Sequence, residues 1–382
     1  MAPRGVDRRA RPQVKKPYDT AAWAGAAALA ALLVVLPIAG LGIFSSVAMP
    51  IYAVNLIGQV MCLSLLAISV DLMWGGAGVL SLGHGLFFAF GGYLCAMHLL
   101  RTAYAATHVL PDFLQFMGHG GFPSWWRFAD SAVATILAVL LLPALLALVF
   151  GYVSFRSRVS GVYFSIITQA LTYTAMLLMF RNDTGFGGNN GMTGFHAIAG
   201  LPAGGLPATV LLASLATAAV LLSFVLGRAL LASRFGRLLA AIRDDEPRLR
   251  FLGYDTLWIK LAAWCLSASM AAVAGALYVP QVGIINPSLL DPSLSLEVAI
   301  WVAVGGRGGL LGAVLGAALV NLLKFWLTAA APALWPFVLS LLGLLVVLAL
   351  PNGLLDLRNR SRDWIADLAR TPLPLLRRRT VR

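Results

Sequence analysis

The chain has 382 residues, of which 60% are hydrophobic and 11% are charged. Ordinary soluble domains carry about a quarter charged residues, so this composition excludes a water-soluble fold. A formal net charge of +13 would suit a nucleic-acid partner, but the basic residues crowd the two ends and one central loop. Cytoplasmic segments of membrane proteins retain Lys and Arg in this way, next to anionic membrane lipid. We therefore expect contact with lipid and no nucleic-acid partner.

Ten apolar segments along the chain resemble membrane helices in length or composition. Crossing a bilayer core of about 30 Å takes about 20 apolar residues in a helix. The eighth segment is short and contains Glu297, so we expect it to be tilted, broken or re-entrant. The sequence thus predicts an all-α, polytopic transmembrane helical bundle. In chain order, the predicted segments are residues 21–44, 51–73, 82–100, 129–153, 162–180, 207–230, 260–280, 293–304, 310–328 and 334–350.

The placement of basic residues also orients the predicted bundle. Ten spans is an even number, so both Arg-rich ends lie on one side, which the positive-inside rule assigns to the cytoplasm. The loops predicted to lie outside carry few basic residues, in agreement with this orientation. The predicted organisation is a basic cytoplasmic head over residues 1–20, a transmembrane domain over 21–350 and an Arg-rich cytoplasmic tail over 351–382.

The largest predicted cytoplasmic loop, residues 231–259, contains a short amphipathic helix. Phe235, Leu238 and Ile242 recur at helical spacing and share one face, and Pro247 predicts that the helix ends nearby. This face could lie on the lipid surface, or it could fill a groove in a cytoplasmic partner that passes motion into the membrane domain. The candidate coupling residues are Arg234, Phe235, Arg237, Leu238, Ile242, Arg243, Asp244, Asp245 and Glu246.

A second group of candidates lies in the predicted spans and in one outside loop, residues 181–195. Glycine lets backbone approach a ligand, and Asn amides both donate and accept hydrogen bonds, as urea would require. A tight external turn explains the same composition. Glu297 is costly at membrane depth, which favours a place in the pathway, although a bond between helices is an equal alternative. The pathway candidates are Asn182, Asp183, Asn189, Asn190, Gln169, Glu297 and His84.

No catalytic or cofactor motif accompanies these candidates. The five histidines are scattered without metal-ligand spacing, and the three cysteines lie inside apolar runs. The GxxxxGK[ST] phosphate-binding pattern is absent from the sequence, so any ATP would be hydrolysed by another subunit. We therefore expect a transporter subunit that is not an enzyme and that needs no metal or cofactor.

Six stretches of the sequence resemble a known family. They are residues 78–85 (GVLSLGHG), 155–170 (FRSRVSGVYFSIITQA), 181–195 (RNDTGFGGNNGMTGF), 243–254 (RDDEPRLRFLGY), 278–288 (YVPQVGIINPS) and 300–312 (IWVAVGGRGGLLG). These stretches resemble the inner-membrane permeases of branched-chain amino acid ATP-binding-cassette transporters. Within that family the chain is most similar to the urea branch, mainly because of residues 181–195 and 278–288.

The resemblance implies a permease of the bacterial inner membrane that imports urea, with short amides as a potential secondary cargo. It implies three kinds of partner, namely a second homologous permease, two cytoplasmic ATPase subunits and a periplasmic solute-binding protein. It also implies that residues 234–246 form the segment that couples to the ATPases. One alternative is import of branched-chain amino acids by the same machinery, and another is an ATPase-independent channel or ion-coupled carrier.

Overall fold

The computed structural model describes residues 20–40, 50–116, 120–159, 161–349 and 353–354. Nearly all of the predicted basic head, nearly all of the predicted tail and the end of the first predicted span lie outside these ranges. The helices are α1 (Thr20–Gly40), α2 (Ile51–Ala77), α3 (His84–Thr107), α4 (Asp112–Phe116), α5 (Ala132–Arg156), α6 (Val162–Met179), α7 (Leu206–Ala232), α8 (Arg234–Phe251), α9 (Thr256–Val282), α10 (Pro292–Gly305), α11 (Leu310–Ala330) and α12 (Trp335–Ala349).

Two small antiparallel strand pairs and several short 3-10 helices complete the described fold. Strand β1 (Met192–Thr193) pairs with β4 (Ile284–Ile285), and β2 (Ala197–Ile198) pairs with β3 (Leu201–Pro202). The 3-10 helices are Ser124–Asp130, Asn182–Thr184, Gly188–Asn190, Pro287–Leu290 and Pro332–Leu334.

Each of the ten predicted membrane segments coincides with a helix. In the described part of the chain, α2, α3, α5, α6, α7, α9 and α11 are long and apolar enough to cross a membrane, while α1, α10 and α12 contain shorter apolar stretches. The predicted all-α polytopic bundle is therefore confirmed. Helix α10 has 14 residues, which at 1.5 Å per residue is about 21 Å, less than the roughly 30 Å bilayer core.

Helix α3 is longer than the sequence predicts. It begins at His84 and continues to Thr107, although the predicted outside loop starts at Arg101. The guanidinium of Arg101 donates two hydrogen bonds to the carboxylate of Asp130, one of them at 2.7 Å from Nη2. Because Asp130 pairs with the Arg101 charge beyond the apolar segment, α3 can continue past the predicted boundary.

Helix α2 lies at the centre of the bundle, packed against α7, α9 and α11. Most of its length is buried, because α2 carries apolar side chains on all sides and can pack against other helices in every direction. Helix α5 lies at the periphery and turns a stripe of residues spaced by four toward the core, from Thr135 through Val139 to Gly151. Its outer face between residues 132 and 153 is entirely aliphatic, which suits contact with lipid.

Glycine allows α3 and α9 to lie backbone against backbone. A Cβ atom added at Gly275 would lie 1.7 Å from the carbonyl oxygen of Phe88, and one at Gly91 would lie 2.0 Å from that of Ala272. Small residues permit such close helix packing inside membranes. The contact holds α3 in register with α9, and so positions the first residue of α3.

We predict that Gly275→Val will destabilise the protein by about 3 kcal/mol or more, because the new side chain forces the two helix backbones apart. Thermal unfolding of the detergent-solubilised chain measures this effect. The matched control is Gly121→Val, since Gly121 has open space around its Cβ position. Equal unfolding temperatures for the two variants would contradict the close α3–α9 contact.

Candidate functional site

The predicted cytoplasmic helix is α8, and it has a break at Asp245. The backbone angles there, φ −161° and ψ 88°, are not helical. The Asp245 carboxylate accepts a hydrogen bond from the backbone N–H of Arg248 at 3.1 Å, which caps a second helical segment. Pro247 lies in the first turn of that segment, where its missing N–H costs nothing. The predicted helix end is therefore a break, after which the helix resumes.

The apolar face of α8 packs against the chain's own helices. Leu239 is buried in the core cluster that includes α2 and α7 side chains, Phe235 packs against that cluster, and Ile242 is also buried. These anchors are thus occupied within the chain and are not free for a partner's groove or the lipid surface. Leu238 is half-buried. The open side of the helix carries exposed polar side chains, namely Arg234, Arg237, Arg243, Asp244 and Asp245.

Arg243 connects α8 to the end of α2. Its Nη1 donates a hydrogen bond to the carbonyl oxygen of Gly75 at 2.8 Å, and its Nε lies 3.4 Å from the carboxylate of the more exposed Asp244. Next to this contact, the N–H of Gly308 donates to the Asp71 carboxylate at 2.7 Å. A Cβ at Gly75 would lie 2.4 Å from the Gly308 nitrogen, so glycine is needed for this approach. Two glycine-rich segments therefore meet next to α8.

Glu246 joins the second segment of α8 to α9. Its Oε1 accepts hydrogen bonds from Arg250 Nη2 at 2.6 Å and Thr256 Oγ1 at 2.8 Å, and lies 2.7 Å from Lys260 Nζ. Lys260 is 2% exposed, and its ammonium lies 4.9 Å from the ring centre of Phe155. Burial alone would raise the pKa of the Glu246 carboxyl, but Lys260, followed by Thr256 and Arg250, holds that pKa below its usual range.

Residues 78–83, between α2 and α3, form a non-helical segment that we call the connector. Non-helical backbone inside a membrane bundle needs other partners for its polar groups. Two hydroxyls of α6 supply them. Ser165 Oγ donates to the carbonyl oxygen of Leu80 at 2.7 Å, and the N–H of Leu82 donates to Thr168 Oγ1 at 3.1 Å.

His84 follows the connector and lies in a fully buried polar contact between helices. Ser267 Oγ donates to the Ser69 carbonyl oxygen at 2.6 Å, so it accepts a hydrogen bond from His84 Nε2, also at 2.6 Å. The next residue, Gly85, donates its N–H to Ser295 Oγ of α10 at 3.2 Å. Ser267 lies about 16 Å along α9 from its first residue. Helix α3 thus begins well inside the bundle.

Helix α6 leaves a partly polar face open. Tyr163 is 75% exposed and Tyr173 is 48% exposed, Thr174 is also exposed, and the pathway candidate Gln169 is half-buried. Polar side chains within a membrane span usually face protein or water. The aliphatic outer face of α5 has no such groups between residues 132 and 153. The open face of α6 is therefore suited to a neighbouring subunit or an aqueous path.

The outer loop of residues 181–195 is joined to the segment of residues 278–288. Met192 in β1 pairs with Ile285 in β4, and a Cβ at Gly191, where φ is +70°, would lie 2.2 Å from the Ile285 carbonyl oxygen. Tight packing therefore accounts for this glycine. The amide side chains of the loop point outward, and their role in the pathway stays a prediction. The side chain of Asp183 lies outside the described residues. The exposed amides are Asn182, Asn189 and Asn190.

Glu297 binds two neighbouring helices. Lys324 Nζ of α11 lies 2.8 Å from its Oε2, and Trp335 Nε1 of α12 donates to its Oε1 at 3.4 Å. The ammonium of Lys324 also lies 5.5 Å from the ring centre of Trp335. These contacts fit the interpretation of a bond between helices, and a pathway role for Glu297 stays a prediction. In the ranges described, no three His, Cys, Asp or Glu side chains gather as a metal site would require.

Several residues that hold these contacts together are not among the site residues predicted from the sequence. Lys260 was recognisable as a lone charge at the start of an apolar segment, and such charges usually have a partner. Ser165 and Thr168 carry hydroxyls three residues apart, which places them on one face of α6. Ser267 gave no comparable signal, because an isolated serine in a membrane helix often bonds only to its own backbone.

We predict that Glu246→Gln will destabilise the chain by roughly 3 kcal/mol, because it leaves the buried Lys260 ammonium without a counter-charge. Thermal unfolding in detergent measures the loss. The control is the double variant Glu246→Gln with Lys260→Met, which should recover most of the stability. A double variant no more stable than the single one would contradict the pairing.

The stabilisation by Glu246 should also depend on pH in one direction. Because its pKa is lowered in the folded chain, the contribution is present at neutral pH and is lost as the pH falls through the lowered pKa. The gap in unfolding temperature between the wild-type chain and Glu246→Gln should therefore close in acid. A gap that widens in acid would contradict this assignment.

Comparison with known proteins identifies the family. The family described as branched-chain amino acid transport system / permease component matches residues 52–350, which include the connector and α8. The chain is 26% identical over 290 residues to the high-affinity branched-chain amino acid transport system permease protein LivM of Salmonella typhimurium, covering 70% of this chain and 62% of the relative. LivM of Escherichia coli (strain K12) is 26% identical over 278 residues, covering 67% of this chain and 59% of the relative.

A different transport system supplies another relative. The autoinducer 2 import system permease protein LsrC of Salmonella paratyphi B is 30% identical over 196 residues, which is 48% of this chain and 56% of that protein. The matched region thus spans less than two thirds of each of these relatives. No solved structure matches the chain significantly. Because the family match covers most of the chain, this multi-pass membrane protein belongs to the family of branched-chain amino acid transport system permeases.

Proposed function

We propose that the chain is a permease subunit of an ATP-driven importer, and that cytoplasmic ATPase subunits drive it by docking on α8. The observation that carries this proposal is the two-sided arrangement of α8. Its apolar face is buried against the membrane helices, and its polar face is open. An ATPase bound to the open face would displace a helix that is packed directly against α2, α7 and α9.

The proposed assembly contains a second homologous permease and a solute-binding protein on the outer side, in the bacterial inner membrane. The open face of α6 supports a neighbouring subunit, because Tyr173, Thr174 and Gln169 are poorly suited to lipid. The translocation pathway would then lie between the two permeases, with Gln169 at its edge. The relatives LivM and LsrC are themselves named as permeases of transport or import systems.

The proposed cargo is urea. The support for urea is the resemblance of residues 181–195 and 278–288 to the urea branch. These two stretches pair through β1 and β4 and so form one structure on the outer side. The amides of Asn189 and Asn190 are exposed there and can both donate and accept hydrogen bonds. Branched-chain amino acids are the second candidate, because the matching family and the LivM relatives carry that description.

Uptake by proteoliposomes tests both the mechanism and the cargo. The vesicles contain the chain, its partner permease, the ATPase subunits and the solute-binding protein, and they receive radiolabelled urea or leucine with and without ATP. We expect ATP-dependent uptake of urea that leucine does not compete away. Leucine uptake without urea uptake would overturn the cargo. Equal uptake from vesicles that lack the ATPase subunits would overturn the importer mechanism in favour of a channel or carrier.

We predict that combining Arg243→Ala with Asp244→Ala will lower uptake about tenfold while ATP hydrolysis continues. A roughly tenfold fall is the size expected when a hydrogen bond to a charged group is lost. The variant removes the contact between Arg243 and Gly75 and the exposed carboxylate beside it. Uptake and hydrolysis are measured in the same vesicles. The control is Arg158→Ala, an exposed arginine in another predicted cytoplasmic loop. Normal uptake in the double variant would remove the coupling role of α8.

A further inference from the structure

We propose that Ser165 and Thr168 are positioning residues through which α8 moves α6, because they hold the connector that lies between these two helices. The inference rests on the proposed ATP-driven function and names the internal route of that coupling. It assigns a role to two hydroxyls that the coupling helix itself does not touch.

The coupling helix holds the first residue of the connector. Gly78 has a left-handed conformation, with φ at +75°, and a Cβ there would lie 2.7 Å from Cγ of Arg243. Arg243 also donates to the carbonyl oxygen of Gly75, three residues before Gly78. Arg243 therefore contacts the chain both before and at the start of the connector, so a shift of α8 displaces the connector at its first residue.

The middle of the connector is bound to α6. The carbonyl oxygen of Leu80 and the N–H of Leu82 have Ser165 and Thr168 as their partners. If the connector moved and α6 stayed in place, both hydrogen bonds would break in a largely apolar interior. Unpaired backbone groups are costly there, so α6 is expected to follow the connector.

The surroundings of α6 allow it to move. Its main contacts are with α3, α10 and the 3-10 helices of the outer loops, whereas the main contacts of α8 are with α2, α7 and α9. The two helices thus have different main packing partners, and the connector contacts both of them. The exposed face of α6 includes Tyr163 and Tyr173, and no tightly packed neighbour within the described part of the chain would resist its shift.

A second route leads from α8 to the same end of α6. Glu246 binds Lys260, whose ammonium lies 4.9 Å from the ring centre of Phe155. The ring of Phe155 stacks on that of Phe164 with centres 4.9 Å apart, and Phe164 directly precedes Ser165 in α6. Both segments of α8 therefore reach the inner face of one helix by separate contacts, which is the arrangement expected if α6 is the element that they move.

The test compares two buried threonines on the same helix. Thr168→Val removes the acceptor of the Leu82 N–H, whereas Thr172→Val removes only a 3.0 Å bond from Oγ1 to the carbonyl oxygen of Thr168. Both side chains are fully buried, and valine matches threonine in shape. We expect Thr168→Val to lower the amount of cargo moved per ATP hydrolysed roughly fivefold, which is the change that the loss of one ordinary hydrogen bond gives. We expect Thr172→Val to leave that ratio unchanged.

The assay uses the complete transporter in vesicles, with the amount of folded subunit measured for each variant. Ser165→Ala is a second variant that removes the bond to Leu80 and should lower the same ratio even if Thr168→Val reduces the folded amount. Wild-type ratios for Thr168→Val and Ser165→Ala, or an equal drop in Thr172→Val, would overturn this inference alone. A wild-type transporter without ATP-dependent uptake would instead overturn the proposed function on which it rests.

Discussion

The need to pair backbone N–H and C=O groups inside an apolar bundle governs the arrangement of this chain. Helices meet that need by themselves, so any break between them must be satisfied by side chains, since an unpaired group costs several kcal/mol. The connector is such a break, and hydroxyls of α6 pair with two of its backbone groups. The position of His84, the start of α3 and the contact with α10 through Ser295 all follow from where the connector is held.

Glycine also allows backbone segments to approach each other closely. Where Gly75 meets Gly308, and where Gly78 meets Arg243, no side chain could fit between the backbones or beside the guanidinium. These contacts bring the coupling helix, the end of α2 and the turn before α11 into one region. The polar contacts of Arg243 and Glu246 then attach both segments of α8 to that region and to α9. The coupling helix is thus built into the bundle, and its polar side is left for the proposed ATPase.

The length of the apolar runs predicted the ten membrane segments, and apolar periodicity predicted the amphipathic helix, because both depend on local sequence. It could not tell what covers an apolar face, so the packing of Leu239 and Ile242 within the chain was not foreseeable. Pairs far apart in sequence were equally hidden. Leu82 and Thr168 are 86 positions apart, and Glu297 and Lys324 are 27 apart, so only the fold brings them together. The roughly 3.6-residue period of a helix carries no information about such partners.

We propose that ATPase subunits docked on α8 transmit nucleotide binding to the membrane interior through the connector. Hydrogen exchange of the backbone amides in residues 78–83, measured on the complete transporter with and without ATP, tests it most directly. We expect slow exchange without nucleotide at Leu82 and Gly83, because their N–H groups are buried and hydrogen-bonded, and faster exchange when ATP binds. Unchanged exchange in the connector, while peptides of α8 respond to ATP, would contradict it.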